Sequence, residues 1–274
     1  PVIGKYIDKF NPNKPLCEYP RPQFIRNSYI SLNGNWDFTI TNSYILPLNY
    51  DLNIVVPYCV ESCLSGICKQ VNKDDFLYYR KKVTLDDNFI NDKILLHFDA
   101  IDQIANIYIN NKLVKTSENG YLPIVIDIKP YIDSNEFEIT VQVIDKLDKN
   151  YPYGKQCKKR GTMWYTPVSG IWKTVWLEQV PDHYVKDLKL TPDLDGVHIS
   201  FVTNQPNRSV HSTAIVTLHT GETLEFTMNT TSGYLPLRNA ITKEGSPYEP
   251  VLWTPEHPYL YQMKLKVNQD IILL

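Results

Sequence analysis

No stretch of this sequence is apolar over the roughly 20 residues that a membrane-spanning helix needs, so no membrane association is expected. The opening residues Pro1-Val2-Ile3-Gly4-Lys5 lack the basic-then-apolar order of a secretory signal. They also lack an initiator Met, which suggests a trimmed or partial chain. Net charge is nearly absent: 28 Lys+Arg against 30 Asp+Glu leave −2. That balance offers phosphate no net attraction, and no nucleic-acid partner is expected. Cysteine is sparse, with Cys17, Cys59, Cys63, Cys68 and Cys157 forming an odd set without repeated spacing. This argues against a disulfide framework and for a reducing, cytoplasmic setting. The sequons Asn207-Arg208-Ser209 and Asn229-Thr230-Thr231 matter only in a secretory route, which nothing else suggests. Glycine is low at 11, against 19 Tyr and 19 Pro. Aromatic residues favour strands, and proline marks loops and edges.

What is present has a period of two. Glu136-Phe137-Glu138-Ile139-Thr140-Val141-Gln142-Val143 alternates polar with apolar, so one face is buried and the other wet. Ile94, Leu96, Phe98 and Ala100 share one side of another such strand. Asn110-Asn111, Asp195-Gly196 and Thr220-Gly221 each separate two alternating runs and predict hairpins, because Asn and Gly accept positive φ. No long stretch carries helical spacing, and the fold class is all-β. The length of 274 residues suits two domains, and Val180-Pro181-Asp182 is the expected linker, since proline cannot continue a ladder. The second domain is expected to use 184–190, 197–202, 213–218, 223–228 and 261–267 as strands.

Four constellations invite chemistry. Cys59, Cys63 and Cys68 are three thiols with no nearby His, short of a four-ligand zinc pattern, and read as idle or buried thiols. Glu136 and Glu138 share a strand face, as a glycosidase carboxylate pair would. The polar row continues through Thr140 and Gln142, however, so the pair reads as the solvated face. The six His are scattered, and His97 reads as a strand residue without a partner. The most unusual stretch is 161–172. Trp164 and Tyr165, in a Pro- and Gly-bounded loop, suit stacking on a sugar with their polar tips bonding hydroxyls. Equally, these rings suit plugging a sandwich end. Trp172 and Trp176, inside an alternating strand, read as packing. No cofactor or metal site is expected.

Trp164-Tyr165-Thr166-Pro167-Val168-Ser169-Gly170-Ile171-Trp172-Lys173-Thr174-Val175-Trp176-Leu177-Glu178 resembles the end of the N-terminal sugar-binding domain of glycoside hydrolase family 2. Leu32-Asn33-Gly34-Asn35-Trp36-Asp37-Phe38, Val55-Val56-Pro57-Tyr58, Tyr78-Tyr79-Arg80-Lys81 and Leu96-His97-Phe98-Asp99-Ala100-Ile101-Asp102 follow the family's order. Leu252-Trp253-Thr254-Pro255-Glu256-His257-Pro258-Tyr259-Leu260-Tyr261 resembles the close of its second domain. The resemblance implies a jelly-roll-like, galactose-binding-like β-sandwich over 1–181. An immunoglobulin-like β-sandwich then fills 182–274 and ends before its last strand. It further implies a (β/α)8 barrel beyond this sequence that carries both catalytic glutamates of a retaining β-glycosidase. No catalytic residue is therefore assigned here, and Trp164 and Tyr165 are the substrate-binding candidates. The implied partners are a β-glycoside carbohydrate and the barrel itself. Several family members place an Asp before Ser-Gly-Ile, where this chain has Lys159-Arg160-Gly161-Thr162-Met163 and no acid. A free-standing carbohydrate-binding module, or a hydrolase using Glu136 and Glu138, are the rival readings. A missing last strand would leave the neighbour of 261–267 unpaired, with Ile271–Leu274 exposed beside it, and would favour a homo-oligomer.

Overall fold

The structure is a computed structural model and describes residues 9–89, 93–152, 154–159, 161 and 163–274. Its elements are strands, joined by loops that include short 3-10 turns at Cys63–Ser65, Asp87–Phe89 and Lys129–Tyr131. Among the described residues no helix is long and apolar enough to cross a membrane. The all-β expectation holds. The chain divides into two compact units. The first comprises Ser28–Gln179 and the described part of Pro1–Glu18; the second comprises Tyr19–Asn27 and Val180–Leu274.

The first unit is a sandwich. One sheet runs in the order Leu52–Val56, Gly34–Thr41, Phe76–Thr84, Glu136–Ile144, Ile104–Ile109, Lys112–Ser117. The other runs Tyr29–Ser31, Val175–Val180, Lys93–Phe98, Ile124–Asp127. Alternating apolar residues from both sheets fill the space between them, among them Trp36, Phe38, Leu96, Phe98, Ile139, Val141 and Leu177. The predicted Asn110-Asn111 turn forms, with φ of 48° and 63° at the two residues.

Two expectations for this unit are corrected. The polar row of Glu136–Ile144 is wet only at its start: Thr140 is 3% exposed and Gln142 0%. The Gln142 side-chain NH2 donates to Tyr44 O at 2.8 Å and to Tyr78 Oη at 2.6 Å, so the segment after Thr41 lies over this face. Asn106 donates to Gln142 Oε1 at 2.8 Å, and Thr116 donates to Asn106 Oδ1 at 2.7 Å. Tyr78, Gln142, Asn106 and Thr116 thus form one polar row across four adjacent strands. A covered polar row survives because its members satisfy one another. His97, in turn, has partners. It is buried, stacks on Trp176 at 3.8 Å and 8°, and places Nε2 3.0 Å from Glu178 Oε1.

The second unit pairs a three-stranded sheet, Val185–Pro192, Gly196–Thr203, Ser232–Pro236, with a four-stranded one. The latter runs Thr223–Met228, Ser212–Thr217, Gln262–Val267, Asp270–Leu273. Its own core holds Phe24, Ile199, Phe201, Val216, Leu265, Val267 and Ile272. The expected open edge at 261–267 does not exist. Asn268 turns the chain at φ 53°, and Asp270–Leu273 pairs antiparallel with Gln262–Val267. Ile272 enters the core, whereas Ile271 and Leu273 stay exposed. Leu273 also exchanges two backbone hydrogen bonds of 2.8 Å with Ile25.

That closure is locked by charge. Arg26 donates to both Asp270 oxygens at 2.8 and 2.7 Å and to Val185 O at 2.7 Å. Val185 N donates back to Asp270 Oδ2 at 2.8 Å. Both side chains are buried, at 5% and 1%. Removing one partner of such a pair strands the other charge, so Asp270→Ala is expected to cost about 3–5 kcal/mol in urea unfolding. Replacing both, Arg26→Met with Asp270→Leu, should recover part of the loss. A single-variant cost below about 1 kcal/mol, the range of exposed pairs, contradicts the assignment.

Candidate functional site

The loop that carries Trp164 and Tyr165 leaves the first sandwich after Glu136–Ile144 and returns at Gly170–Ile171, which pairs with Ile101–Asp102. Its return stem is built around Ser169, which is 2% exposed. Ser169 N donates to Glu61 Oε2 at 3.0 Å, and Ser169 Oγ donates to Asp145 Oδ2 at 2.7 Å. Ser169 O accepts from Val60 N at 3.3 Å. One residue earlier, Val168 N donates to Gln156 Oε1 at 2.6 Å. Gly170 follows at φ +88°, and a Cβ there would collide with the Tyr79 hydroxyl. Only glycine fits that position, so the stem turns sharply at one defined point.

Three carboxyls meet this stem. Burial raises Glu61 above the usual carboxylate range, and its bonds to Ser169 offset part of that. Asp102 is pushed up to about 7, by burial first and then by the charges of Asp145 and Glu61. Its Oδ1 is buried without a hydrogen-bond partner among the described residues. Gly120 presses against it so closely that a Cβ would clash with the carboxylate. Burial, then Glu61, pushes the Cys59 thiol up to about 11.

Past this stem the rings emerge. Trp164 is 45% and Tyr165 67% exposed, beside exposed Met163. Tyr165 N donates to Lys155 O at 3.0 Å, and Cys157 N donates to Tyr165 O at 3.0 Å, so the two limbs of the loop brace each other. The rings do not plug the sandwich; Arg160 and Thr162 of this loop lie outside the described residues. Trp172 is half-buried, donates to Gly120 O at 2.9 Å and meets Tyr121 edge-on at 6.1 Å. Trp176 is core, and its indole donates to Asp99 Oδ1 at 3.1 Å.

The other candidates lie elsewhere in chemistry. Glu136 is exposed, and Glu138 sits 3.9 Å from Arg80, whose guanidinium also binds Asp37 at 2.8 Å and covers Tyr50. The thiol reading needs correction: Cys63 and Cys68 are disulfide-bonded to each other, and Cys17, Cys59 and Cys157 are free. Among the described residues no group of three or more His, Cys, Asp or Glu is placed to hold a metal ion. Sequence reasoning missed Glu61, Asp102, Asp145 and Ser169 as a group. Asp102 and Ser169 lie in the family-order stretches 96–102 and 164–178, but nothing local joined them to each other or to Glu61 and Asp145.

The raised Asp102 makes stability depend on pH. Its folded pKa lies above the ordinary value of 3.8, so the native state holds the extra proton between about pH 4 and 7. Stability therefore falls as pH rises through that window, by up to about 4 kcal/mol from this group. Asp102→Asn is expected to flatten the decline and to be more stable than the parent at pH 8 but not at pH 4. Thermal unfolding across pH 4–8 checks this; parallel curves for the two proteins contradict it.

The chain matches two family models, Glycosyl hydrolases family 2, sugar binding domain, over residues 27–181, and Glycosyl hydrolases family 2 over residues 183–272. It is 27% identical to a Thermoanaerobacter pseudethanolicus β-galactosidase over 195 residues, covering 69% of this chain and 26% of that protein. It is 22% identical over 272 residues to a putative β-glucuronidase of Formosa agariphila, covering 93% of this chain and 31% of that one. The fold matches a Ruminococcus gnavus β-glucuronidase with a TM-score of 0.69 at 20% identity, over 91% of this chain and 45% of that one. The chain thus spans less than half the length of these relatives. With a sugar-binding-domain match over more than half its length, followed by a second match of the same family, the chain belongs to glycosyl hydrolases family 2.

Proposed function

We propose that this chain is the non-catalytic front part of a retaining β-glycosidase of the β-galactosidase kind. In this reading it buttresses a (β/α)8 barrel carried elsewhere in the longer protein, and Trp164 and Tyr165 wall part of the sugar pocket. The observation that carries the reading is the exposed ring pair on a loop whose return stem is fixed by buried carboxylates. A rigid stem presents the rings without the ordering cost of a floppy loop. The names of the sequence relatives support the substrate class, and their greater length supports a catalytic domain outside these residues. The domain limits we propose are 1–181 and 182–274, although Tyr19–Asn27 and Val180–Pro181 cluster with the second unit.

A cytoplasmic location is supported by the three free cysteines. The Cys63–Cys68 link joins residues five apart within one loop and ties no two elements together. Self-association through an unpaired edge at 261–267 drops out of the reading, because that strand is paired on both sides.

Two measurements test the proposal. The 274-residue chain should hydrolyse none of a panel of nitrophenyl glycosides, since no catalytic glutamate is assigned to it. In the longer enzyme, Trp164→Ala should lower kcat/KM about 2- to 12-fold, the loss of stacking worth roughly 0.5–1.5 kcal/mol. Hydrolysis by the chain that vanishes in Glu136→Gln, or an unchanged kcat/KM in Trp164→Ala, contradicts it.

A further inference from the structure

The ring-bearing loop has its two acids, buried Asp145 and exposed Asp148, at its start, and beyond them it carries cations only. Between Lys149 and Leu177 lie Lys149, Lys155, Lys158, Lys159, Arg160 and Lys173, and no Asp or Glu at all. The whole chain, by contrast, has a formal charge of −2. The cations are concentrated where the rings are. Lys155, Lys158 and Lys159 are exposed, and none of them pairs with a carboxylate among the described residues. Lys155 and Cys157 are hydrogen-bonded through their backbones to Tyr165, so this limb lies directly alongside the rings. Lys173 caps the Trp172 ring at 4.8 Å. The acids of the return stem are of no use as partners on the surface: Asp102 and Asp145 are buried, and the two acceptors that bind Ser169 are committed to it.

Unpaired, exposed ammonium groups are point charges that attract anions over about a Debye length, some 8–10 Å at physiological salt. Beside two exposed rings they make a surface that prefers a sugar carrying negative charge over a neutral one. We propose that this loop selects anionic saccharides, with the rings stacking on a pyranose face and Lys155, Lys158 and Lys159 meeting a carboxylate or sulfate ester on the same glycan. The inference rests on the reading of Trp164 and Tyr165 as sugar-contacting rings and adds the charge class of the sugar. The overall charge of −2 offers a continuous phosphate backbone no net attraction outside this loop, which together with the ring pair favours a short anionic glycan over a nucleic acid.

The test follows the five Trp indole signals of the 274-residue chain by NMR during titration. The probes are a neutral galactotetraose, an unsulfated chondroitin tetrasaccharide carrying carboxylates, a sulfated galacto-oligosaccharide and a thymidine tetranucleotide. Trp164→Phe assigns the loop signal. At low salt at least one anionic saccharide should bind about tenfold or more tightly than the neutral one, an advantage that shrinks in 0.5 M salt. Whether the carboxylated or the sulfated probe wins identifies the anion. The variant Lys155→Ser/Lys158→Ser/Lys159→Ser should lose that preference while binding the neutral probe unchanged. Unmoved Trp36 and Trp176 signals show that the variant stays folded. Equal binding of neutral and anionic saccharides, or a preference that survives in the triple variant, overturns this inference and leaves the ring assignment standing. Tetranucleotide binding as tight as the best saccharide overturns the glycan assignment. A Trp164 signal that no saccharide moves overturns both.

Discussion

Everything the ring-bearing loop does depends on Ser169. Its amide, hydroxyl and carbonyl are all engaged, by Glu61, Asp145 and Val60, and the next residue is a glycine that no other residue can replace without striking Tyr79. These contacts come from three separate parts of the first sandwich: Val60 and Glu61 from the loop after Leu52–Val56, Asp145 from the end of Glu136–Ile144 and Tyr79 from the middle of Phe76–Thr84. The stem therefore inherits the rigidity of the sheet, although it lies in a segment with little regular structure. The arrangement has an electrostatic consequence. Ser169 offers two donors to a neighbourhood with three carboxyls, and the third, Asp102, is left with its Oδ1 unpartnered among the described residues. A buried carboxyl in that position lowers its free energy by keeping a proton. The site thus holds its loop firmly at the cost of one group that is uncomfortable when ionised.

The two units meet the problem of buried polarity in different ways. In the first, the covered row Tyr78, Gln142, Asn106 and Thr116 runs across four strands with side chains bonding neighbour to neighbour. In the second, one bidentate ion pair, Arg26 with Asp270, joins the segment Tyr19–Asn27 to the starts of two strands. Neutral networks tolerate burial with small penalties per group, whereas a buried ion pair is strongly sensitive to the loss of either member. The closing strand Asp270–Leu273 therefore depends on a residue almost 250 positions earlier, and the second unit is complete only with Tyr19–Asn27 in place.

The strands of both units were legible because alternation and Asn or Gly turns are local signals. Thr223–Met228 was placed to the residue, and all three hairpins formed, with positive φ at Asn110, Asn111 and Gly221 but not at Asp195 or Gly196, which is already the first residue of its strand. Ser232–Pro236 was hidden by its own Gly and Pro, which read as loop residues. Asp270–Leu273 was hidden because four residues after a turn give too short a pattern to assign. The exposed rings were legible as an odd composition in a Pro- and Gly-bounded loop. The groups that fix the stem were not, since Glu61 stands 108 residues from Ser169 and no periodicity reports on such a contact. The same limit explains His97 with Glu178 and the covered face of Gln142: each depends on a segment distant in sequence.

The energetics of two rings also bear on the choice between a pocket wall and an independent binding module. Stacking contributes roughly 0.5–1.5 kcal/mol per ring beyond area burial, while immobilising a ligand costs several kcal/mol. Trp164 and Tyr165 alone therefore support an affinity no better than the millimolar range, which corresponds to about −4 kcal/mol. Lysine contacts at an exposed site add tenths of a kcal/mol to about 1 kcal/mol each, and salt weakens them. In the proposed reading such a surface would bias which glycan approaches and how it is oriented, and would leave tight holding to groups supplied from elsewhere. That division of labour fits a loop with a fixed stem and exposed tips better than it fits a self-sufficient module, which would need a concave, largely enclosed site around its sugar.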